Sequence, residues 1–567
     1  MAADRWARLG TRLRGHAPLV ALGLALAFLV ACPLVAVFAR AVVNDEGTLD
    51  LGLAARTLAE PDNARMVVNS VLLGVLVVIG STVIAAPLAY LFSRTSFARH
   101  RAFDVIFMIP FMTPPYIASM GWILFMQRRG LLQQLVPAMA GSEKWFFTLG
   151  GLVLVMSLHI FPFMLSILKN AMANVPSSLE EAGAVCGAGF GRRLRRVFLP
   201  LLSGNYAIGA LLVFVKTISE YGTPYTLGRR AGLEGFITEI HNYATVAPVQ
   251  FGQAATLASV LVLICMAMWM AQSWVTSRHT YDLVAGRGAR VELARLPRGV
   301  AVACWALVAL VLMLAVGVPY FSVIATSLID KRGFGLAAGN FTLAHYAELF
   351  TDGPKGVGAL LNSLFLGVAS ATVCAVLGTL VALAVGRSRA RGGRAAGKVV
   401  EGLALLPEML PSIVLVIGIM LFWNSIYGVL PLYNTMGIMV LAYVVLFLPY
   451  TVQYVTSSLS QVGAGLTEAA RVFGGSPAYV LRRVTLPLVF RGVLTGWMMT
   501  FIIAFRELVT PSLIAPTNTL VVSTYIMRQF EQGSVSLGMA MAVICVLVTT
   551  GALLLLNRAT QRVGRAG

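Results

Sequence analysis

The chain has 567 residues, 58% hydrophobic and only 12% charged, with 43 Lys and Arg against 23 Asp and Glu for a formal net charge of +20. Soluble globular domains carry roughly 25% charged residues, so a row of water-facing globules is excluded, and so is a disordered chain, which needs low hydrophobicity. The composition is that of an all-α polytopic membrane protein with the lipid bilayer as its solvent.

A bilayer core about 30 Å thick takes roughly 20 apolar residues of helix. Twelve segments qualify, at about 18–40, 66–93, 102–126, 147–170, 203–227, 253–275, 299–328, 357–386, 399–423, 430–458, 488–515 and 535–557. They are continuously apolar, unlike the alternating segments of about ten residues in outer-membrane barrels. The first follows Arg5, Arg8, Arg12 and Arg14 as a signal peptide would. Its long apolar stretch and the lack of a small-residue cleavage site make it a retained helix.

With the N-terminus inside and the spans alternating, 29 of the 43 Lys and Arg residues fall in inside segments, 12 fall outside, and Lys216 and Arg506 lie within spans. The positive-inside rule then places both termini in the cytoplasm. It also accounts for the net charge of +20 without a nucleic-acid partner.

Twelve spans divide as six plus six, and two inside loops repeat. The first reads Glu181-Ala182-Gly183, then Gly187, then Leu199-Pro200; the second reads Glu468-Ala469-Ala470, then Gly474, then Leu486-Pro487. One offset of 287 residues relates them, and it also pairs Arg195-Arg196 with Arg482-Arg483, Phe161-Pro162 with Leu448-Pro449, and Glu220 and Pro224 with Glu507 and Pro511. Asn69-Ser70 and Asn362-Ser363 match at an offset of 293. The fold expected is two homologous, parallel six-helix halves joined by an Arg/Gly-rich link. In each loop a short surface helix would end at the glycine, which tolerates positive φ. Its small residues would let another protein approach closely, and Leu-Pro would open the next span.

These loops resemble the EAA loops of type I ABC importer permeases, the inner-membrane components of binding-protein-dependent importers. Gly183 stands where the usual motif has Ala. The resemblance covers about residues 66–275 and 357–558 as two permease domains. The remainder is an N-terminal segment with the first span and outer loop (1–65), a linker with the seventh span and outer loop (276–356), and a cytoplasmic tail (559–567). The resemblance implies that each loop is a coupling helix for a cytoplasmic ATPase subunit, two in all, with an external solute-binding protein delivering cargo. ATP and Mg²⁺ would be used by the partner subunits, and this chain would bind no cofactor and catalyse no reaction. The location implied is the bacterial inner membrane. Fused twelve-span chains are similar to ferric iron uptake permeases, which makes ferric iron the expected cargo. Related permeases serve 2-aminoethylphosphonate, polyamines, thiamine, sulfate and molybdate.

Other motifs carry less. Gly392 to Lys398 matches GxxxxGK but is followed by Val399, so the Mg²⁺-side hydroxyl of a nucleotide loop is missing. The cysteines show no CxxC spacing. Within the spans lie Lys216, Glu220, Glu408, Arg506 and Glu507, and intramembrane charges usually face a polar cavity or a partner. Lys216 and Glu220 are spaced to pair on one helix face. Glu220 with Tyr221, and Glu507 in the second half, either line a cation path or brace helices. Carboxylate and phenol oxygens suit a hard cation such as Fe³⁺, and carboxylates also suit a polyamine. A secondary transporter also uses six plus six spans, but it needs no ATPase and leaves the paired loops unexplained.

Overall fold

The computed structural model describes residues 17–43, 48–100, 102–176, 178, 182–183, 185–233, 235–278, 293–351, 354–390, 394–462 and 464–565. Among these there is no strand, only isolated bridges. Helices dominate because a backbone in hydrocarbon must satisfy its own N–H and C=O groups. Ten helices are long and apolar enough to cross a membrane: α1 (Ala17–Arg40), α2 (Pro61–Arg94), α4 (Leu149–Ala173), α5 (Leu199–Ile218), α6 (Phe251–Thr276), α7 (Arg298–Leu328), α8 (Lys355–Arg389), α10 (Met436–Gln461), α11 (Pro477–Phe505) and α12 (Val535–Leu555). Two bent pairs bring the number among the described residues to twelve when each is counted as one span: α3 (Ala102–Met112 with Pro115–Met126, 84°) and α9 (Ala395–Met409 with Ser412–Ser425, 112°).

Four of the spans are therefore not the straight rods their hydropathy suggests. In α3 and α9 the chain turns at Thr113-Pro114 and Leu410-Pro411, where both prolines are extended, with ψ of 131°. A proline drives the residue before it out of the helical region, so the bend is written locally. In the fifth and eleventh spans the helix stops at Ile218 and Phe505 and resumes as the short helical segments Pro224–Gly228 and Val509–Ile514. Lys216 and Glu220 consequently do not share a helix face, and no ion pair joins them among the described residues.

The chain forms two compact units. One contains Ala55–Asn242 and Val260–Thr342, and the other Met1–Ala54, Tyr243–Ser259 and Leu343–Gly567. The seventh span therefore belongs with the first half and the first span with the second half. In the first unit α2, α4 and α5 pack together, and the Val318–Leu328 end of α7 lies on the second limb of α3. Thr113 and Tyr320 hydroxyls meet there at 2.7 Å. In the second unit α8, α10 and α11 form the matching trio, and the Cys32–Arg40 end of α1 lies on the second limb of α9. Phe28 packs edge-on against Phe422 and Trp423 at ring-centroid distances of 5.3 and 5.6 Å. Of the ten unbroken spans α4 and α10 are the most enclosed, 67% and 72% buried over their most apolar stretch, whereas α7 is 17% and α1 22% buried. The exposed apolar side chains of the peripheral helices, Leu24, Val35, Val302 and Leu310 among them, are suited to lipid.

The repeat reaches small contacts. Ser70 of α2 accepts a hydrogen bond from the Phe236 N–H at 3.0 Å, and Ser363 of α8 accepts one from the Val522 N–H at 2.8 Å. Each serine satisfies the first backbone N–H of a following helix, Phe236–Thr245 or Val522–Gln532, the group a helix leaves unpaired.

Candidate functional site

Each duplicated loop ends its short helix in the same way. In the second, the helix Ala464–Val472 closes at Gly474, whose φ is +79°, and the Gly475 N–H reaches back to the Ala470 carbonyl at 2.9 Å. In the first, Gly187 has φ +76° and the Ala188 N–H reaches the Gly183 carbonyl at 2.9 Å. These are Schellman closures, in which a left-handed residue lets the N–H beyond it satisfy a carbonyl one turn back. The spacing of the small residue and the glycine is thus a backbone requirement. Glu181 lies outside the described residues. Ala182, Glu468 and Ala469 are exposed.

Beyond the glycine the chain re-enters a helix. In the second loop Ser476 caps it, its Oγ accepting the Tyr479 N–H at 3.2 Å. Leu199-Pro200 and Leu486-Pro487 stand at the start of the α-helical runs Leu199–Ile218 and Leu486–Phe505, but neither run starts from a loop. Each follows a five-residue π-helical turn, Leu194–Phe198 or Leu481–Thr485, that runs directly into it. A proline has no N–H to give the preceding turn and crowds its carbonyl, and a widened turn accommodates both defects. Arg195-Arg196 and Arg482-Arg483 sit in these turns and are exposed.

The loops also expose apolar side chains. Phe473 is 90%, Val472 84% and Val185 88% exposed. Apolar residues exposed beside basic ones are the composition of a protein-contact or membrane-contact surface.

The breaks in the fifth and eleventh spans are capped by the paired glutamates. Glu220 accepts the Thr223 N–H through both carboxylate oxygens, at 3.1 and 2.9 Å. Glu507 accepts the Val509 N–H at 2.9 Å and the Thr510 N–H at 2.8 Å. A carboxylate at a helix start satisfies orphan donors and favours the dipole. Each glutamate thus holds the start of the short segment after its break. Tyr221 is buried, its ring 5.0 Å from that of Tyr225 and 4.8 Å from that of His241. This aromatic group is not duplicated, since the equivalent positions are Leu508, Ser512 and, counted from the paired helix starts Phe236 and Val522, Met527. Its third member is distant in sequence, and no spacing signals it. Glu408 accepts a hydrogen bond from Gln453 Nε2. Of the nucleotide-loop look-alike, Gly392 and Gly393 lie outside the described residues, and Lys398 is on the first limb of α9.

The description "binding-protein-dependent transport system inner membrane component" matches the chain twice, over residues 81–278 and 374–565. The chain is similar to the ferric transport system permease protein FbpB of Actinobacillus pleuropneumoniae, 24% identical over 535 residues that cover 92% of this chain and 74% of the relative. It is similar to the Fe(3+)-transport system permease protein FbpB 2 of Haemophilus influenzae, 24% identical over 472 residues, or 82% of this chain and 83% of the relative. The spermidine/putrescine transport system permease protein PotC of the same organism is 25% identical over 240 residues, covering 42% of this chain and 90% of PotC. With two copies of the domain spanning most of its length, the chain belongs to the family of binding-protein-dependent transport system inner membrane components, as a fused two-half ABC importer permease.

Proposed function

We propose that the chain is the membrane-spanning subunit of an ATP-driven importer of ferric iron. The observation that carries the cargo is the extent of similarity. Ferric permeases match along 82–92% of the chain, both halves in one polypeptide, whereas the polyamine permease matches one half. In this reading the loops around Glu181–Pro200 and Glu468–Pro487 seat two cytoplasmic ATPase subunits, and a binding protein delivers Fe³⁺ at the opposite end. Both termini lie in the cytoplasm.

ATP closes the ATPase pair and draws the two loops together. Each loop passes through its π-turn into α5 or α11, so displacement at a loop is carried toward the glutamate-capped break. Ligands shift such a transition only by binding its states unequally, and a rigid-body rocking of halves is the usual form it takes. Glu220, Tyr221 and Glu507 line the cargo path at the breaks, where oxygen donors suit a hard trivalent cation.

The test is reconstitution of the chain in proteoliposomes with its ATPase and binding protein. Accumulation of labelled ferric iron that requires ATP hydrolysis is the expected result. ATP-driven accumulation of spermidine without iron would replace the cargo. Iron uptake driven by an ion gradient without ATP would overturn the mechanism.

A further inference from the structure

The first unit carries a basic cavity at the end opposite its duplicated loop. It has a volume of about 320 Å³ and lies where the second limb of α3 and the end of α7 give way to loops. Arg128, Arg129 and Arg332 line it together with Gln127 and Gln134, and Gly130, Gly333 and Gly335 complete the polar wall. Arg230 reaches Gln127 Oε1 at 3.5 Å, which brings a fourth guanidinium to the rim.

The walls are braced. Arg129 has φ +56°, and the loop holding it is pinned by Gln134 Nε2 on the Arg129 carbonyl at 3.0 Å and by the Arg129 N–H on Gln133 Oε1 at 2.9 Å. Gln134 Oε1 also accepts the Leu336 N–H at 2.9 Å, tying this loop to the one that carries Arg332. Asn340 closes that second loop, donating to the carbonyls of Lys331 and Gly335 at 2.8 Å each.

Among the described residues no carboxylate forms a salt bridge with Arg128, Arg129 or Arg332, and no acidic residue lines the cavity. Glu143, on the same loop region, is engaged by Gln133 Nε2 at 2.7 Å. Partial desolvation holds the Arg332 guanidinium below the ordinary arginine range. Arg230 is lowered by desolvation and then by the Arg332 charge. Like charges gathered in a partly dry recess are unfavourable, and an anion relieves them. Planar guanidinium donors match carboxylate and phosphate oxygens two at a time, and Gly333, with no atom within 4 Å of where a Cβ would stand, leaves room for close approach.

We propose that this cavity is a binding site for a small, multiply charged oxyanion of the phosphate or polycarboxylate class, held by Arg128, Arg129 and Arg332. A recess of about 320 Å³ suits a free anion of that size better than an acidic protein face. The site itself stands apart from the cargo assignment. Its bearing on transport rests on the iron reading: an anion here would cancel the positive field this end otherwise presents to a trivalent cation.

The test uses the full chain in phosphatidylcholine nanodiscs, in a low-salt sulfonate buffer, titrated calorimetrically with inorganic phosphate and with citrate. Saturable binding of one anion per chain is expected. Arg332→Gln and Arg128→Gln each weaken it about tenfold or more, as loss of a hydrogen bond to a charged group does. Arg332→Lys weakens it less, and Arg528→Gln leaves it unchanged. Size-exclusion profile and melting midpoint establish that each variant is folded, and the two glutamine variants are independent of each other. Absence of saturable binding, or equal weakening by Arg528→Gln, overturns the site. Loss of phosphate binding when phosphatidylglycerol is added to the nanodiscs assigns the cavity to a lipid headgroup and overturns the free anion. No outcome depends on iron uptake, so a failure here is distinct from a failure of the cargo.

Discussion

Gly121 lies against the backbone of Pro319: a Cβ at Gly121 would fall 2.7 Å from the Pro319 carbonyl oxygen. Gly418 stands in the same relation to Pro33, where a Cβ would fall 2.5 Å from the carbonyl oxygen. The first pair joins α3 to α7 and the second joins α9 to α1. Lipid supplies no hydrophobic drive for helix association, so small residues that admit close backbone approach supply it instead. The repeat therefore extends to the first and seventh spans, each packed in the unit built on the other half of the sequence.

Gly121→Val and Gly418→Val should each destabilise the protein by about 1–3 kcal/mol, the range for overpacking a tight contact. Backbone, not a movable side chain, occupies the space. Gly402→Ala meets nothing within 4 Å and should leave the midpoint unchanged or raise it. Unfolding of the detergent-solubilised protein, followed by tryptophan fluorescence, measures this. An unchanged midpoint for both valine variants would remove the contact as a structural tie.

The Schellman glycines make a different prediction. A Cβ at Gly187 or Gly474 meets nothing within 4 Å, so a substitution there is penalised through φ alone. Gly474→Ala should cost about 1–2 kcal/mol of local loop order, the penalty for an L-residue in the left-handed region, while Gly474→Asn, which tolerates that region, should recover most of it. The readout is affinity of the reconstituted chain for the proposed ATPase subunit. Equal behaviour of Ala and Asn would show that the left-handed turn is not what the partner needs.

The exposed apolar residues of the loops bear on the same proposed docking. Phe473→Ser and Val185→Ser should weaken ATPase association about tenfold or more, in the manner of buried interface anchors, with no change in the melting midpoint. A midpoint that falls with affinity would place these side chains in the fold instead of at an interface.

Much of this architecture is legible in the sequence because hydrophobic length and the duplicated loop are local signals. The glycine at position 187 or 474 can be read as a left-handed stop, and the prolines at 114 and 411 as points of bending, from each residue's own chemistry. The direction of the bend is not readable, because hydropathy does not distinguish a straight span from two limbs. Nor is the end of the fifth span at Ile218, since Glu220 looks like one more residue on a helix until its carboxylate is seen turned onto Thr223. Leu-Pro marks where each α-helical run begins, but the π-turn that leads into it has no signature in the sequence. The pairing of α1 with α9, and the meeting of Arg128 with Arg332, join residues far apart in the chain, and no periodicity reports them.

The paired glutamates separate a structural role from a transport role. Both carboxylates cap a helix restart, Glu220 by taking one N–H on both oxygens and Glu507 by taking one N–H on each. Glu220→Ala and Glu507→Ala should each cost about 0.5–2 kcal/mol, the range for losing a helix cap. Glu220→Gln and Glu507→Gln keep a carbonyl oxygen that can accept from the same N–H groups, so their midpoints should fall less. They remove the negative charge altogether. If the carboxylates attract the cargo, ATP-driven iron uptake at matched protein abundance should drop in the glutamine variants, and drop further in the double variant, out of proportion to the change in midpoint. Uptake that follows stability across all four single variants would make the caps purely architectural and move the cargo path away from the breaks.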